Sequence, residues 1–390
     1  MDINVMSIIN EIKEELNELS DYIYKNPELG NREYLAVRAH TAILEKYGFK
    51  VEKSYLGIET AFKAVYDTGI GEKTAAFLAE YDALPGIGHG CGHNLLGAVS
   101  TGAGIVLSKI IKSGKVIVFG TPAEETNGAK VDMAKAGVFK GVDAVFEAHP
   151  SDHNAASMKS LAMEALEFSF IGKAAHAAAC PEKGINALEA AINMFNNLNG
   201  LREHIPQSAR IHGIIREGGV AANIVPALAV NEFYVRGESK KQVEELVEKV
   251  KNCAYGASLA AGTELKIRNY EKSNDDFISN YNLMHKYMKH MKDAGIENIN
   301  EIDTTSGSAD AGNVSYVVPA LHAWFSITRE PIASHTAEFA RETLTDYAAN
   351  QMVKAVYGLV MTSYDIITDP EFNKIVIEEH RKSVKDLSVV

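Results

Sequence analysis

Cysteine is scarce in this chain, with three residues in 390: Cys91, Cys180 and Cys253. So few thiols, so far apart, exclude a disulfide framework, and a reducing cytoplasm is the expected location. Basic charge is also short: 39 Lys and Arg stand against 51 Asp and Glu, a net charge of −12. A nucleic-acid partner, which would need a basic footprint, is therefore not expected. No apolar run reaches the ~18–20 residues that cross a bilayer, so no membrane partner is expected either. The opening MDINVMSIINEIKEEL is acidic and amphipathic, without the basic and apolar stretches of a secretory signal. Internal repeats, low-complexity tracts and Gly/Ser linkers are missing as well. What remains is 46% hydrophobic and 23% charged, the composition of a folded globular chain of two or three units.

Residues 1–50 read as two helices. Ile8, Ile9, Ile12, Leu16 and Leu19 recur at helical spacing until Pro27 and Gly30 close the segment, and a second helix over 32–47 ends at Gly48. From residue 73, short apolar runs at 74–78, 115–120 and 143–146 alternate with Gly/Ala-rich helical stretches over 95–111 and 128–139. That alternation implies a parallel sheet with right-handed crossovers. The order then changes: strand 164–172, helix 184–203, strands 209–217 and 224–236 joined by a Gly-Gly loop, helix 240–260, strand 263–270. This β-α-β-β-α-β series is the ferredoxin-like arrangement. A helix over 278–294, strands at 316–318 and 320–327, and two C-terminal helices resume the first pattern. The expected fold class is α/β: a mostly parallel-sheet catalytic domain with helices on both faces, 1–163 and 273–390, interrupted by an inserted ferredoxin-like α+β domain, 164–272.

Ligands of an open parallel sheet collect at the carboxyl ends of its strands. Here the first run leads into Glu80-Tyr81-Asp82, the second into Thr121-Pro122-Ala123-Glu124-Glu125, and the third into Glu147-Ala148-His149. Just downstream of the first lies His89-Gly90-Cys91-Gly92-His93-Asn94, ahead of a helix that Asn94 could cap. Thiolate, imidazole and carboxylate together suit zinc, with manganese and cobalt as further candidates. A Cys-x-His triplet alone is as well explained by a buried structural cysteine beside loop histidines. Its setting among Glu124, Glu125 and His149 tilts the reading to a metal centre. Two adjacent carboxylates in a crevice repel each other, and a dication resolves the conflict if one ligates it and the other serves as general base. An alternative is a thiol hydrolase in which Cys91 and His93 form the nucleophilic pair.

The segments HGCGHN, TPAEE, EAHP, GKAAHAAACPEKGINAL, GGVAANIVPA and GSADAGNVS resemble, in this order, the dinuclear metallopeptidase family of aminoacylases and carboxypeptidase G. The similarity is greatest to its amidohydrolase branch of aminobenzoyl-glutamate, indole-acetyl-amino-acid and Xaa-Arg hydrolases. The resemblance implies two divalent ions per subunit, with Cys91 bridging them, His93 and His335 completing one site, and Glu125 and His149 the other. Glu124 is implied as general base and later proton donor, and Asp82 as the residue that orients the metal shell. The inserted domain is implied to be a lid and dimerisation module, giving a homodimer or homotetramer. Within it His176 matches the histidine that reaches the partner subunit's site and stabilises the oxyanion. Asn223 matches a lid asparagine that bonds the substrate, and Arg236 the arginine that pairs with the substrate carboxylate. Without the resemblance Arg236 reads as a surface strand residue, and His176 and His335 as loop histidines. The implied reaction is hydrolysis of the amide bond of a small N-acyl amino acid or dipeptide with a free carboxylate. A catalytically silent small-molecule-binding dimer of the same fold is the remaining alternative.

Two positions depart from the family pattern. Relatives with a glycine-rich EEGGGG stretch differ from Glu124-Glu125-Thr126-Asn127-Gly128 here, and the histidine that many members place two residues before the aspartate is Glu80. His89 and His153 are given no role.

Overall fold

A computed structural model describes residues 4–303 and 307–389. Along the chain come α1 (Val5–Lys25), α2 (Tyr34–Lys46), β1 (Lys50–Lys53), β2 (Phe62–Asp67), β3 (Thr74–Ala79), α3 (His93–Ile110), β4 (Lys115–Gly120), α4 (Glu124–Asn127), α5 (Ala129–Lys135) and β5 (Ala144–Ser151). They are followed by β6 (Ala162–Ile171), α6 (Ala187–Leu201), β7 (Arg210–Glu217), β8 (Leu228–Gly237), α7 (Lys240–Ala261) and β9 (Glu264–Asn269). The last are α8 (Tyr281–Asp293), α9 (Ala311–Ser315), β10 (Ala320–Ser326), α10 (Ala337–Glu342), α11 (Asp346–Thr368) and α12 (Pro370–Val389). The described residues form two compact units, Ser160–Asp276 and the remainder.

The larger unit is built on a six-stranded sheet of order β1-β2-β4-β3-β5-β10. β4, β3, β5 and β10 run parallel, and β1 and β2 add an antiparallel edge. All six residues of β3 are buried, as a central parallel strand covered on both faces requires. Two cores lie on the sheet. One joins Phe77 and Phe146 to the apolar stripes of α1, α3 and α11, through residues such as Ile12, Leu16, Val99, Val356 and Leu359. The other joins Leu78 and Phe119 to Met133, Phe139 and Val314. Gly97 of α3 fits close to the exit of β3, since a Cβ there would sit 2.6 Å from the Glu80 carbonyl oxygen and 2.7 Å from His40 Nε2. This close approach brings the start of α3 beside the residues that leave β3.

The smaller unit is a four-stranded antiparallel sheet of order β7-β8-β6-β9 on which α6 and α7 pack. Phe168, Phe170 and Phe233 fill its core against Ala190, Met194, Leu246 and Val250. This is the ferredoxin-like strand order, so the fold class is as expected: a mostly parallel sheet with helices on both faces and an inserted α+β unit.

Local details differ from the sequence reading. Residues 316–318 form a turn rather than a strand, with Val317 and Val318 both donating back to the Val314 carbonyl. The strand expected over 224–236 starts at Leu228, because Val225 donates to the Ala175 carbonyl and Pro226 has no N–H to give. Asn94 does not cap α3: the N-cap is Gly92, and Asn94 lies in the first turn donating to Ser20 Oγ at 2.9 Å. Among the described residues no helix is long and apolar enough to cross a membrane.

Candidate active site

The exits of β3, β4 and β5 and the loops before α3 and α10 meet in a cavity of about 390 Å³. Glu80, Cys91, Glu124, Glu125, His149 and His335 line it, all within the larger unit. Asp82, buried at the β3 exit, organises two of the contributing segments. Its Oδ1 lies 3.0 Å from His93 Nδ1, and its Oδ2 accepts the Glu125 N–H at 3.0 Å. His93 Nδ1 is thereby committed to Asp82, which leaves Nε2 directed at Glu80 Oε2, 3.0 Å away. Burial disfavours charge on His93, yet Glu80, the Cys91 sulfur and Asp82 hold its imidazole well above the usual range. Negative groups thus face both ring nitrogens, an environment made for a cation.

Cys91 Sγ stands 3.5 Å from His149 Nε2 and 3.4 Å from His335 Nε2. His149 donates its Nδ1–H to the Pro150 carbonyl at 2.7 Å, so Nε2 is the atom with a free lone pair. Burial holds this imidazole down at about 3, hence neutral, as a ligand must be. His335 is held by its backbone N–H on the Gly90 carbonyl at 2.8 Å, and its Nε2 is 3.4 Å from Glu125 Oε1. Burial pushes the Cys91 thiol up, which disfavours a free thiolate nucleophile.

Two donor groups share the cysteine: Cys91, His93 and His149, and Cys91, Glu125 and His335, with the donor atoms of each within 4.8 Å of one another. His93 Nε2 and Glu125 Oε1 are buried and make no hydrogen bond, although Glu80 Oε2 and His335 Nε2 stand 3.0 and 3.4 Å away. One thiol, three imidazoles and a carboxylate make a donor set suited to two divalent ions. These groups set His93 with His149 and Glu125 with His335, whereas the resemblance implies His335 with His93 and His149 with Glu125. The end of β5 lies beside the start of α3, where the His149 and His93 rings meet edge to face at 5.4 Å, so His149 groups with His93. The loop carrying His335 reaches the cysteine from the Glu125 side.

Glu124 follows Ala123, a non-glycine residue at φ 63. Glu33, buried at the start of α2, accepts the Ala123 N–H at 2.8 Å and fixes this left-handed turn. Burial, then repulsion from Glu80 and Asp310, pushes the Glu124 carboxyl well above the usual carboxylate range. Such elevation is typical of a carboxyl that exchanges protons during a reaction.

Burial is also the first cause that lifts Glu33, from 4.5 to about 7. The folded chain keeps this proton where the unfolded chain has lost it, so stability falls as pH rises from 4.5 to about 7 and levels off above. Glu33→Gln is expected to abolish that fall, which amounts to up to about 3 kcal/mol in total. Urea denaturation of metal-free protein across this pH range checks it; a variant with the wild-type slope would assign the effect elsewhere.

Several residues in and around the cavity escape sequence reasoning. His322 and Trp324 of β10 lie in register with Glu147 and His149 of β5, and the Trp324 ring is 4.6 Å from the His149 ring. Their two-residue spacing was the available signal, since alternate strand residues share a face. His322 Nδ1 meets Glu147 Oε1 at 2.7 Å. Lys130, wholly buried, joins Glu80 and Asp310, and nothing in its sequence setting marks it. His89 is buried and held down at about 4, first by burial. His153 sits between Asp152, 2.7 Å away, and Asp303, 3.4 Å away.

The remaining expected residues belong to the smaller unit. His176 and Asn223 lie on segments paired to each other, with Ala177 N–H on the Asn223 carbonyl at 3.0 Å. His176 Nδ1 accepts the N–H groups of Ala178 and Ala179 at 3.3 and 3.2 Å, so its proton resides on Nε2. Arg236 lies on β8 with its guanidinium 5.4 Å from the centre of the Tyr234 ring.

Residues 158–258 match the family described as a peptidase dimerisation domain of M20 type. The Xaa-Arg dipeptidase of Homo sapiens is 35% identical over 97% of this chain and 91% of its own. The chain belongs to the M20 peptidase family. As an M20 protein it is a hydrolase acting on amide bonds. One of the p-aminobenzoyl-glutamate hydrolase polypeptides of Escherichia coli is 32% identical over 71% of this chain and 63% of its own. A solved structure described as a dinuclear metal-binding M20 peptidase from Bacillus subtilis shares the fold, with a TM-score of 0.66 at 19% identity over 90% of this chain and 99% of that one.

Proposed function

We propose that this M20 hydrolase is a dinuclear metal-dependent dipeptidase or N-acyl-amino-acid amidohydrolase whose substrates carry a free carboxylate. The observation that carries the reading is the convergence of Cys91, His93, Glu125, His149 and His335 around one cavity that also presents Glu124. Divalent zinc, manganese or cobalt held by these five residues would, when bound, polarise the scissile carbonyl and acidify water. Glu124 takes a proton from the attacking water and returns it to the departing nitrogen. Asp82 holds His93 by Nδ1 and Glu125 by its backbone N–H, so one buried carboxylate sets two ligands at once.

The smaller unit supplies substrate contacts in this reading. His176, protonated on Nε2, donates to the developing oxyanion of the partner subunit's site. Asn223 hydrogen-bonds the substrate, and Arg236 pairs with its carboxylate. A dimer is supported by β7, an edge strand that exposes Ile214 and Ile215. Similarity to the human Xaa-Arg dipeptidase over most of both chains favours dipeptides as the first substrates to try.

The test is a hydrolysis screen of dipeptides and N-acyl amino acids on chelator-stripped protein with zinc, manganese or cobalt added back. Turnover that appears only with metal is the expected result, and turnover indifferent to it would sink the proposal. Arg236→Met is expected to raise KM for carboxylate substrates by roughly 10²-fold, the loss of one charge-assisted pair, and to leave carboxamide analogues unaffected.

A further inference from the structure

The dinuclear reading leaves a buried lysine unexplained. Lys130 of α5 is 0% exposed, and its ammonium donates to Glu80 Oε1 and, at 2.6 Å, to Asp310 Oδ1, with Glu147 Oε2 at 3.7 Å. Its backbone N–H donates to Asp310 Oδ2 at 3.2 Å, so side chain and main chain grip one carboxylate. The packing there admits no slack: a Cβ on Gly128 would sit 2.3 Å from Asp310 Oδ2. One fixed cation therefore ties together three carboxylates, from the exit of β3, from β5 and from the start of α9. A buried charge persists only when compensated in this way.

Glu80 is the member that touches the proposed metal centre. Its Oε2 is 3.0 Å from His93 Nε2, and Glu80, His93 and Glu124 form a third group of potential donors. When His93 offers Nε2 to an ion, it gives up Glu80, and a bare carboxylate so close would become a ligand itself. We propose that Lys130 is a positioning residue: a built-in cation that keeps Glu80 neutralised and outside the ligand set, so that the ion held by His93 keeps an open coordination position for water or substrate. Lys130 holds Glu80 by the oxygen opposite the one facing His93. Being covalently anchored, it cannot be displaced by the metal. The role of Glu80, standing where many family members place a histidine, is then that of an anion balanced by protein.

The proposal rests on the dinuclear reading, and cobalt substitution separates the two. Wild-type protein is expected to take up two cobalt ions with a thiolate-to-cobalt absorption band; failure to do so overturns both. Given that band, Lys130→Met is expected to weaken the visible ligand-field absorption several-fold, as Glu80 enters and coordination number rises. Its kcat should fall by about 10–100-fold, the range for supporting residues of a metal site, with KM little changed. Lys130→Arg, which keeps the charge, should retain the wild-type spectrum. Glu80→Gln should still bind two ions with wild-type affinity and spectrum, and the double variant Lys130→Met/Glu80→Gln should recover the wild-type spectrum. A Lys130→Met spectrum identical to wild type overturns the proposal. So does loss of an ion from Glu80→Gln, a measurement that stands even if Lys130→Met does not fold.

Discussion

Glu124→Gln is expected to bind two divalent ions as the wild type does and to lose turnover by about 10²–10⁴-fold, the contribution of a positioned general base. The substitution keeps shape and removes only the ability to carry a proton. The turn that aims the side chain is held from elsewhere, by the Glu33 carboxylate on the Ala123 N–H, so the variant should retain the backbone geometry. Burial, with Glu80 and Asp310 nearby, already raises the Glu124 carboxyl, which suits a group that must take a proton and give it back. Metal content by mass spectrometry, with kcat and KM measured on the same samples, checks the result. A variant that keeps both ions and full turnover would remove Glu124 from the reaction, whereas one that loses an ion would make it a ligand.

Cys91→Ala should have the largest effect on metal binding, because its sulfur is the one donor common to both ligand groups. Affinity at both positions should fall by more than the roughly 10–100-fold typical of outer-shell partners, taking activity with it. Burial pushes the thiol up in the metal-free chain, so metal uptake by wild type must expel a proton that the alanine variant does not have. Calorimetry in two buffers of different ionisation enthalpy reads that proton directly. Chelation should silence the wild type, and added metal should restore it. Activity that survives chelation but is lost on thiol alkylation would instead favour the thiol hydrolase with Cys91 and His93.

Much of the architecture was legible because the sheet is parallel and buried. Its strands read as short apolar runs, and their carboxyl ends are where Glu80, Asp82, Glu124, Glu125 and His149 stand. The antiparallel pair β1 and β2 went unread although Phe62 and Ala64 alternate with half-buried residues, because an edge pair carries a weaker pattern than the central strands. His335 could be reached only by resemblance: 244 residues separate it from Cys91, and no spacing rule spans that distance.

Taken by itself, then, the sequence determined the alternation of strand and helix, the inserted β-α-β-β-α-β unit, and the kinds of donor atom waiting at the strand ends. These are local properties, carried by periodicity and by residues adjacent in the chain. Tertiary structure alone decided which donors meet. It set His149 with His93 and His335 with Glu125, put the Glu33 carboxylate under the Ala123 turn, and buried Lys130 among Glu80, Glu147 and Asp310. Those pairings depend on strand order and on loops closing over long stretches of chain, so each side chain finds its partner only after the sheet has formed.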